Sequence, residues 1–227
     1  MTPRICVSIL PKNNIEALNL IEKAEEAKAD LIEVRLDCLE TSRKLTELSA
    51  STKVPLIGTN KLQSEKGFFA GIESERQQTL LNAAKSGFEY VDVDLSSPKY
   101  KETISQLKML GAKPIVSYHK FDGALNISAM TAVLDKELAS GACVCKIVTT
   151  AKQIEDNLPV LSFVSFASSK AKLVCFCMGE HGRVSRVLSP LFGSFFTFAS
   201  LEDGSATASG QMSINEMKTA YTLLGDK

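Results

Sequence analysis

Lys146 stands in the middle of a short apolar segment, CVCKIVT, which covers residues 143–149 and has the composition of a buried β-strand. An ammonium group is costly to bury, so such a lysine is paired with an acid, reaches water, or is held neutral for chemistry. A lysine whose pKa is lowered by burial or by nearby cations can attack a ketone and form an imine. The segment therefore predicts either an internal ion pair or Schiff-base chemistry at Lys146.

A histidine stands in the apolar segment that comes before, at His119 of PIVSYHK. A protonated imine acidifies the adjacent carbon, and a histidine within reach can remove that proton and later protonate a leaving hydroxyl group. Lysine and histidine, with carboxylates and arginines to hold a polyol acid, fit the dehydration of a β-hydroxy ketone. Taken alone, however, a histidine such as His119 is more often a hydrogen-bonded core residue than a catalyst.

Charged residues alternate in two further apolar segments. Glu33, Arg35 and Asp37 fall on one face of the segment IEVRLD if it is a strand, and Asp92 and Asp94 do so in YVDVDL. In a barrel enzyme, polar residues late in the strands form the active site. They can equally form an internal ion-pair network that fills the barrel. Both interpretations remain open for each of these residues.

Eight β-type segments alternate with helical patterns along the chain. They are predicted at residues 5–10, 31–37, 54–60, 90–95, 114–120, 143–149, 173–179 and 195–200. Helix signals stand between them, such as the apolar face of Ile15, Leu18, Ile21 and Ala24 and the capping-box spacing of Ser213 and Glu216. Eight such units in 227 residues predict an α/β protein with a closed (β/α)8 barrel, in one domain over residues 1–227. An open doubly wound sheet is the alternative.

Composition narrows the classes of ligand. The chain has 26 basic and 26 acidic residues, which cancel, so its charge favours neither a nucleic acid nor an anionic membrane surface as partner. No apolar run approaches the roughly 20 residues that span a bilayer, and the first residues do not resemble a secretion signal. A cytoplasmic enzyme with a small-molecule substrate is the expectation.

The six cysteines include two C-x-C pairs, Cys143 with Cys145 and Cys175 with Cys177. Four sulfurs on adjacent strands could in principle hold zinc. Structural zinc usually takes cysteines from tight loops with C-x2-C spacing, whereas C-x-C in a strand places both thiols on one face. The spacing therefore favours buried, unreactive thiols that face the helices.

Five segments, in order along nearly the whole chain, resemble motifs of the type I 3-dehydroquinate dehydratases. They are IEVRLD, SYH, CVCKI, MGEHGRVSR and FGSFFTF, followed by a terminal SGQ. The resemblance implies a (β/α)8 barrel that converts 3-dehydroquinate to 3-dehydroshikimate by syn elimination of water, the third step of the shikimate pathway of aromatic amino-acid biosynthesis. It implies that Lys146 forms the imine, that His119 is the general base and then the general acid, and that Glu65 pairs with His119 and orients it.

The same resemblance implies a set of substrate contacts. Arg186 would bind the substrate carboxylate, a task suited to a guanidinium group. Glu33, Arg35 and Ser8 would meet ring hydroxyls, and Gln211 would close over the ligand. Two further contacts are implied at positions where the sequence departs from the family pattern, namely Lys61 in place of an arginine and Thr207 in a loop that lacks the usual proline.

Other functions remain open from the sequence. Another class I aldolase or lyase barrel would use the same lysine, although no glycine cluster suited to a phosphate group stands near the last two strands. A barrel that only binds a metabolite or a partner protein would be free to lose Lys146 or His119. The proposed chemistry requires no metal or other cofactor, and a homodimer is the expectation from the family.

Overall fold

The computed structural model describes residues 2–40, 44–202 and 208–225 of the chain. Within these ranges eight strands are present, and all are short and mostly buried. Their bounds are β1 (Ile5–Ile9), β2 (Leu31–Arg35), β3 (Leu56–Thr59), β4 (Tyr90–Asp94), β5 (Lys113–His119), β6 (Val144–Thr150), β7 (Leu173–Met178) and β8 (Thr197–Ala199). Each predicted strand is confirmed, and its ends differ from the prediction by at most two residues.

Helices lie between the strands and pack on the outside of the sheet. They are α1 (Asn14–Glu26), α2 (Leu45–Ala50), α3 (Glu73–Lys85), α4 (Tyr100–Met109), α5 (Ile127–Ala139), α6 (Asn157–Ala167), α7 (Arg183–Leu188) and α8 (Ile214–Leu223). The predicted capping box is present at the start of α8, where the Ser213 hydroxyl accepts from the Glu216 amide and the Glu216 carboxylate accepts from the Ser213 amide. No helix of the described ranges is long and apolar enough to cross a membrane.

The strands form one parallel sheet that curves into a nearly closed barrel. Consecutive strands from β1 to β7 are hydrogen-bonded neighbours, and β8 pairs with β1. At the remaining edge the Phe195 amide donates to the Leu173 carbonyl at 2.7 Å. This order confirms the (β/α)8 barrel, because an open doubly wound sheet would reverse its strand order at a switch point.

Strand register determines which side chains share a layer of the barrel. Ser117 of β5 is aligned with Lys146 of β6 and with Asp94 of β4. Ser8 of β1 is aligned with Glu33 of β2. Below this polar layer the interior is filled by apolar side chains: Cys6, Leu31, Ile57, Tyr90, Ile115, Val144, Val174 and Phe196. The polar residues therefore lie at the C-terminal end of the barrel, where barrel enzymes build their sites.

Three predictions about individual residues are wrong. Asp37 lies in a 3-10 turn after β2 (Leu36–Cys38) and not in the strand, so the chain has turned before its side chain is placed. Ile15 is 74% exposed because α1 buries the face of Ala17, Ile21 and Ala24. Cys143 is exposed because β6 begins one residue later.

The other cysteines follow the prediction more closely. Cys145, Cys175 and Cys177 are buried and pack with residues of α5 and α6 outside the barrel. Burial raises the pKa of each of these thiols. Such thiols are poor nucleophiles at neutral pH, in keeping with the role of cysteine as a small apolar residue.

Candidate active site

A cavity of about 190 Å³ opens at the C-terminal end of the barrel. Most of the residues predicted for the site line it, together with several aromatic side chains. The lining comprises Glu33, Arg35, Thr59, Lys61, Glu65, Lys66, His119, Phe121, Lys146, Val148, Phe176, Met178, Arg186, Phe198, Ala208, Ser209 and Gln211. Charged groups at the base and aromatic rings on the walls suit a small, highly oxygenated ligand.

Lys146 lies at the base of this cavity and is 5% exposed. Its Nζ atom donates to Asp92 Oδ2 at 3.0 Å and lies 3.9 Å from Glu33 Oε1. The ring of Phe198 has its centroid 4.5 Å from the same nitrogen. Lys146 therefore combines the two interpretations offered by the sequence, because its amine is ion-paired on one side and faces the cavity on the other.

Glu33 is held by hydroxyl groups from the two neighbouring strands. Its Oε1 atom accepts from Thr59 Oγ1 at 2.9 Å, and its Oε2 atom accepts from Ser8 Oγ. Ser8 is buried beneath Glu33 and does not line the cavity. The structure thus places Ser8 as a partner of Glu33, whereas Glu33 itself faces the space in front of Lys146.

Asp92 links Lys146 to a second buried lysine. Its Oδ1 atom accepts from Lys61 Nζ at 2.8 Å and from Ser117 Oγ at 2.7 Å, while its Oδ2 atom accepts from Lys146. Burial alone would raise the pKa of Asp92, but the charges of Lys146 and Lys61 outweigh it and hold that pKa far below its usual range. The carboxylate is therefore ionised at any working pH.

His119 ends β5 beside this ion pair. Burial, followed by the nearby charges of Lys61 and Lys146, holds the pKa of its imidazole well below the ordinary value. A neutral imidazole at pH 7 is the form that can accept a proton. The ring stacks on Phe121, with centroids 5.8 Å apart and planes inclined by 9°.

Glu65 lies in a 3-10 turn after β3 (Gln63–Glu65). Its carboxylate, that of Asp94 and a ring nitrogen of His119 all lie within 4.8 Å of one another, but the hydrogen bond of Glu65 comes from Ser96 Oγ at 3.0 Å. Asp94 already accepts from Lys61 and Arg76, which makes its carboxylate a poor ligand for a further cation. Glu65 therefore stands next to His119 without bonding to it.

Arg186 reaches the cavity from α7 and is 1% exposed. Its guanidinium carbon lies 4.4 Å from the Phe176 ring centroid, and Nη1 donates to the Phe198 carbonyl at 3.4 Å. Across the described part of the chain it has no carboxylate partner, and its Nε has no hydrogen-bond acceptor. Burial lowers the pKa of Arg186 to about 10. Such a cation is suited to an incoming anion.

Arg35 and Asp37 form a two-pronged ion pair at the rim. Arg35 Nε and Nη2 donate to the two Asp37 oxygens at 2.9 and 2.5 Å. Asp37 also accepts from the Phe68 amide at 3.0 Å, which ties it to the loop that carries Glu65. Burial opposes the charge of Arg35, but the bonds to Asp37 prevail and raise its pKa. Arg35 is thus a fixed cation at the edge of the cavity.

The loop after β8 contributes Ala208, Ser209 and Gln211, whereas Thr207 lies outside the described residues. The Gly179 amide, in the loop after β7, donates to the Ser209 carbonyl at 3.0 Å. Gly210 has φ of +74°, and a side chain there would meet the Gly179 carbonyl. The two loops are therefore docked backbone to backbone, which positions Gln211 over the cavity.

Several lining residues were not predicted as part of the site. Thr59, Phe121 and Phe198 give no signal in a single sequence, because an isolated threonine or phenylalanine in a strand or just after one is ordinary. Lys66, whose Nζ lies 4.6 Å from the Phe121 ring centroid, follows a 3-10 turn and has a left-handed conformation with φ of 57°. The sequence does not predict this backbone conformation for a lysine, so the position of Lys66 at the cavity is known only from the structure.

Comparison with known proteins gives a consistent result along the whole chain. The sequence model of the family described as Type I 3-dehydroquinase matches residues 5–227. A 3-dehydroquinate dehydratase of Dehalococcoides mccartyi is 36% identical over 219 residues, which cover 96% of this chain and 95% of the relative. One from Methanococcus maripaludis is 32% identical over 222 residues, covering 97% and 99% of the two chains.

A solved structure supports the fold independently of sequence. The type I 3-dehydroquinate dehydratase of Clostridium difficile superposes with a TM-score of 0.90 over 98% of this chain and 92% of that one. Its identity is 24%, so this likeness concerns the barrel alone.

Proposed function

Because this chain belongs to the type I 3-dehydroquinase family and is a 3-dehydroquinate dehydratase, we propose that Lys146 is the amine that forms the Schiff base typical of that family. The enzyme removes water from 3-dehydroquinate to give 3-dehydroshikimate in the shikimate pathway. The family decides against the aldolase and pure binding alternatives. The observation that carries the proposal is the Lys146 amine, which faces the cavity beside neutral His119 and is held by Asp92.

The first step is addition of the neutral Lys146 amine to the ketone carbon. The carbonyl oxygen leaves as water with the two amine protons, and a further proton, taken from the solvent, makes the imine cationic. The Asp92 carboxylate, 3.0 Å from the lysine nitrogen, stabilises that positive charge. The cationic imine then withdraws electrons from the carbon next to it.

His119 carries the proton transfers that follow. It removes a proton from the carbon beside the imine, and the electron pair moves into the imine to give an enamine. His119, now protonated, gives that proton to the β-hydroxyl, which leaves as water while the enamine electrons form the new double bond. Hydrolysis of the imine by water releases the product ketone and restores Lys146.

The remaining polar residues hold the substrate in the orientation this chemistry requires. Arg186 binds the substrate carboxylate, since it is the buried cation whose charge is not matched by an acid within the described ranges. Glu33, Arg35 and Gln211 face the ring hydroxyls, and Thr207 is proposed as a further contact from the sequence alone. Ser8 acts through Glu33. Glu65 orients His119, to which it lies adjacent.

Borohydride trapping tests the proposal directly. The protein is mixed with 3-dehydroquinate in a buffer that contains a chelator, reduced, digested, and searched for added mass by peptide mass spectrometry. We expect an adduct on Lys146 that is lost in Lys146→Ala, and persistent trapping with slow turnover in His119→Ala, because that variant keeps the nucleophile and loses the proton shuttle. An adduct on another lysine, or full turnover in His119→Ala, would refute the assigned roles.

We further propose a cytoplasmic homodimer. Ile154, Leu158 and Phe166 recur at four- and eight-residue spacing along α6 and the turn before it, and all three are exposed. Leu191 and Phe192 are exposed on the turn that packs against α6, which extends the apolar surface. Light scattering after gel filtration should give twice the chain mass. Phe166→Glu should reduce this to one chain mass, whereas the control Met109→Glu on α4 should not.

A further inference from the structure

Lys61 has used all of its hydrogen-bonding capacity inside the barrel. Its ammonium group carries three N–H donors and no acceptor. Within the described residues Nζ has three acceptors, namely Asp92 Oδ1 at 2.8 Å, Asp94 Oδ1, and Ser117 Oγ at 2.9 Å. Lys61 therefore has no donor left for a substrate hydroxyl or carboxylate, although its side chain lines the cavity.

The acceptor that Lys61 shares with Lys146 has a fixed orientation. Asp92 directs Oδ1 to Lys61 and Ser117 and Oδ2 to Lys146, so both carboxylate oxygens are occupied by cations or a hydroxyl group. Asp92 is 2% exposed, so loss of a donor would leave a nearly buried carboxylate oxygen without its partner. The rotation of its side chain is thus set by the two lysines together.

Lys146 alone cannot hold this carboxylate throughout the reaction. Its amine must lose a proton to attack the ketone, and its nitrogen then has fewer hydrogens to offer as an imine. Asp92 would in that period be a buried carboxylate with a weakened partner, which is costly. Lys61 keeps its charge, because Asp92 and Asp94 outweigh the effect of burial and raise its pKa.

We propose that Lys61 is a positioning residue, which holds Asp92 in place against Lys146 through the reaction and does not contact the substrate. The inference rests on the proposed role of Lys146 and replaces the substrate contact that the family resemblance implies for Lys61. Asp94 in turn holds Lys61 in place from the other side. Arg76 Nη1 donates to Asp94 at 3.3 Å, and this bond anchors the network to α3.

A second consequence concerns His119. The positive charge of Lys61 contributes to the low pKa of the imidazole, after burial. Removal of that charge should therefore raise the titration midpoint of His119, whatever happens to substrate binding. This shift checks that the charge of Lys61 acts at His119, while the effects on kcat and KM distinguish a positioning role from a substrate contact.

The test compares Lys61→Met with the unmodified enzyme and with the control Lys113→Met, which removes a half-exposed lysine at the other end of β5. In Lys61→Met we expect kcat to fall by about 10- to 100-fold with KM changed by less than about twofold, since small displacements of a reacting group have effects of this size. The rate of borohydride trapping at Lys146 should fall in parallel, and the NMR midpoint of His119 should rise. Lys113→Met should leave all three unchanged.

An opposite pattern would overturn the inference. If Lys61→Met raised KM and left kcat and the rate of trapping unchanged, Lys61 would be a substrate contact. Should Lys61→Met fail to fold, the double variant Lys61→Met with Asp94→Asn loses one cation and one anion together and is judged by the same criteria. Absence of trapping in the unmodified enzyme would instead count against the proposed function, so the two failures are distinguishable.

Discussion

The guanidinium carbon of Arg186 lies 4.4 Å from the centroid of the Phe176 ring, and this ring takes the place of an acid beside the buried cation. The phenylalanine ring gives the guanidinium group a flat, negatively polarised surface. The charge of Arg186 is thereby stabilised without being neutralised. A substrate carboxylate can supply the full negative charge that the ring lacks and so pair with the guanidinium group.

Replacing Arg186 with methionine should weaken substrate binding much more than it affects the fold. Loss of a charge-assisted pair in a buried site is worth about 2–3 kcal/mol, so kcat/KM should fall by roughly 30- to 150-fold, mainly through KM. The free energy of unfolding should not decrease, because an unpaired buried charge is removed. The control is Arg183→Met, which removes an exposed cation from the same helix. A large loss of stability with unchanged KM would contradict this role.

The sequence predicts the barrel well because the pattern of a strand followed by a helix is repeated eight times. Each apolar segment of β-branched residues with a helix after it gives independent support, so an error at one strand end does not change the topology. Lys146 and His119 could be predicted for a related reason, since a charged or titratable group in an apolar strand is exceptional. The same alternation identifies Asp92, but it leaves open whether this residue belongs to the active site or to an internal ion-pair network. Only the bond to Lys146, seen in the structure, relates Asp92 to the reaction.

The remainder of the site depends on the direction of side chains, which the sequence does not contain. The family resemblance implies a substrate contact for Lys61, and the sequence does not reveal that its ammonium group is bonded to Asp92 and Asp94. Asp37 is expected on a strand, yet it lies in the turn after the strand and accepts hydrogen bonds from Arg35. In both cases the competition between nearby acids and cations decides the geometry.

The protonation state of His119 can be measured directly, because the chain has two histidines and His181→Gln leaves one imidazole. Burial and the charges of Lys61 and Lys146 lower the pKa of His119, so its midpoint in an NMR titration should lie below 6.5. The folded protein binds a proton here less readily than the unfolded chain does. This group therefore contributes stability at pH above 6.5, which is lost as the pH falls. A midpoint at or above 6.5 would show that His119 is not held neutral.

Asp37 is expected to support the rim of the site through two kinds of bond. Asp37→Ala removes the acceptor for both Arg35 and the Phe68 amide, and it leaves a largely buried guanidinium without its carboxylate. We expect the free energy of unfolding to fall by about 1–3 kcal/mol and KM to rise, because the loop with Glu65 loses its attachment. Urea denaturation and steady-state kinetics measure the two effects. Asp122→Ala, at an exposed aspartate paired with Lys120, is the control and should show neither.

Glu137 on α5 is a fully buried acid whose carboxyl group lies beside the Cys145 thiol and the Lys146 amide, but within the described residues neither of its oxygens makes a hydrogen bond of ordinary geometry. Burial raises its pKa well above the ordinary value, so the folded protein keeps it protonated at a pH where the unfolded chain ionises. This shift does not destabilise the protein at pH values below 4.5, the ordinary pKa of a glutamate in the unfolded chain. As the pH rises above 4.5, the free energy of unfolding is lowered by an increasing amount.

Glu137→Met should therefore stabilise the protein at pH 7–8, by on the order of 1–2 kcal/mol, since it replaces a buried polar group with an apolar one of similar length. The gain in free energy of unfolding, measured in urea at several pH values, should shrink towards pH 5. The matched control is Glu22→Met, which changes an exposed glutamate on α1 and should give no pH-dependent difference. A loss of stability in Glu137→Met that does not vary with pH would mean that the carboxyl group is ionised and paired in the native protein.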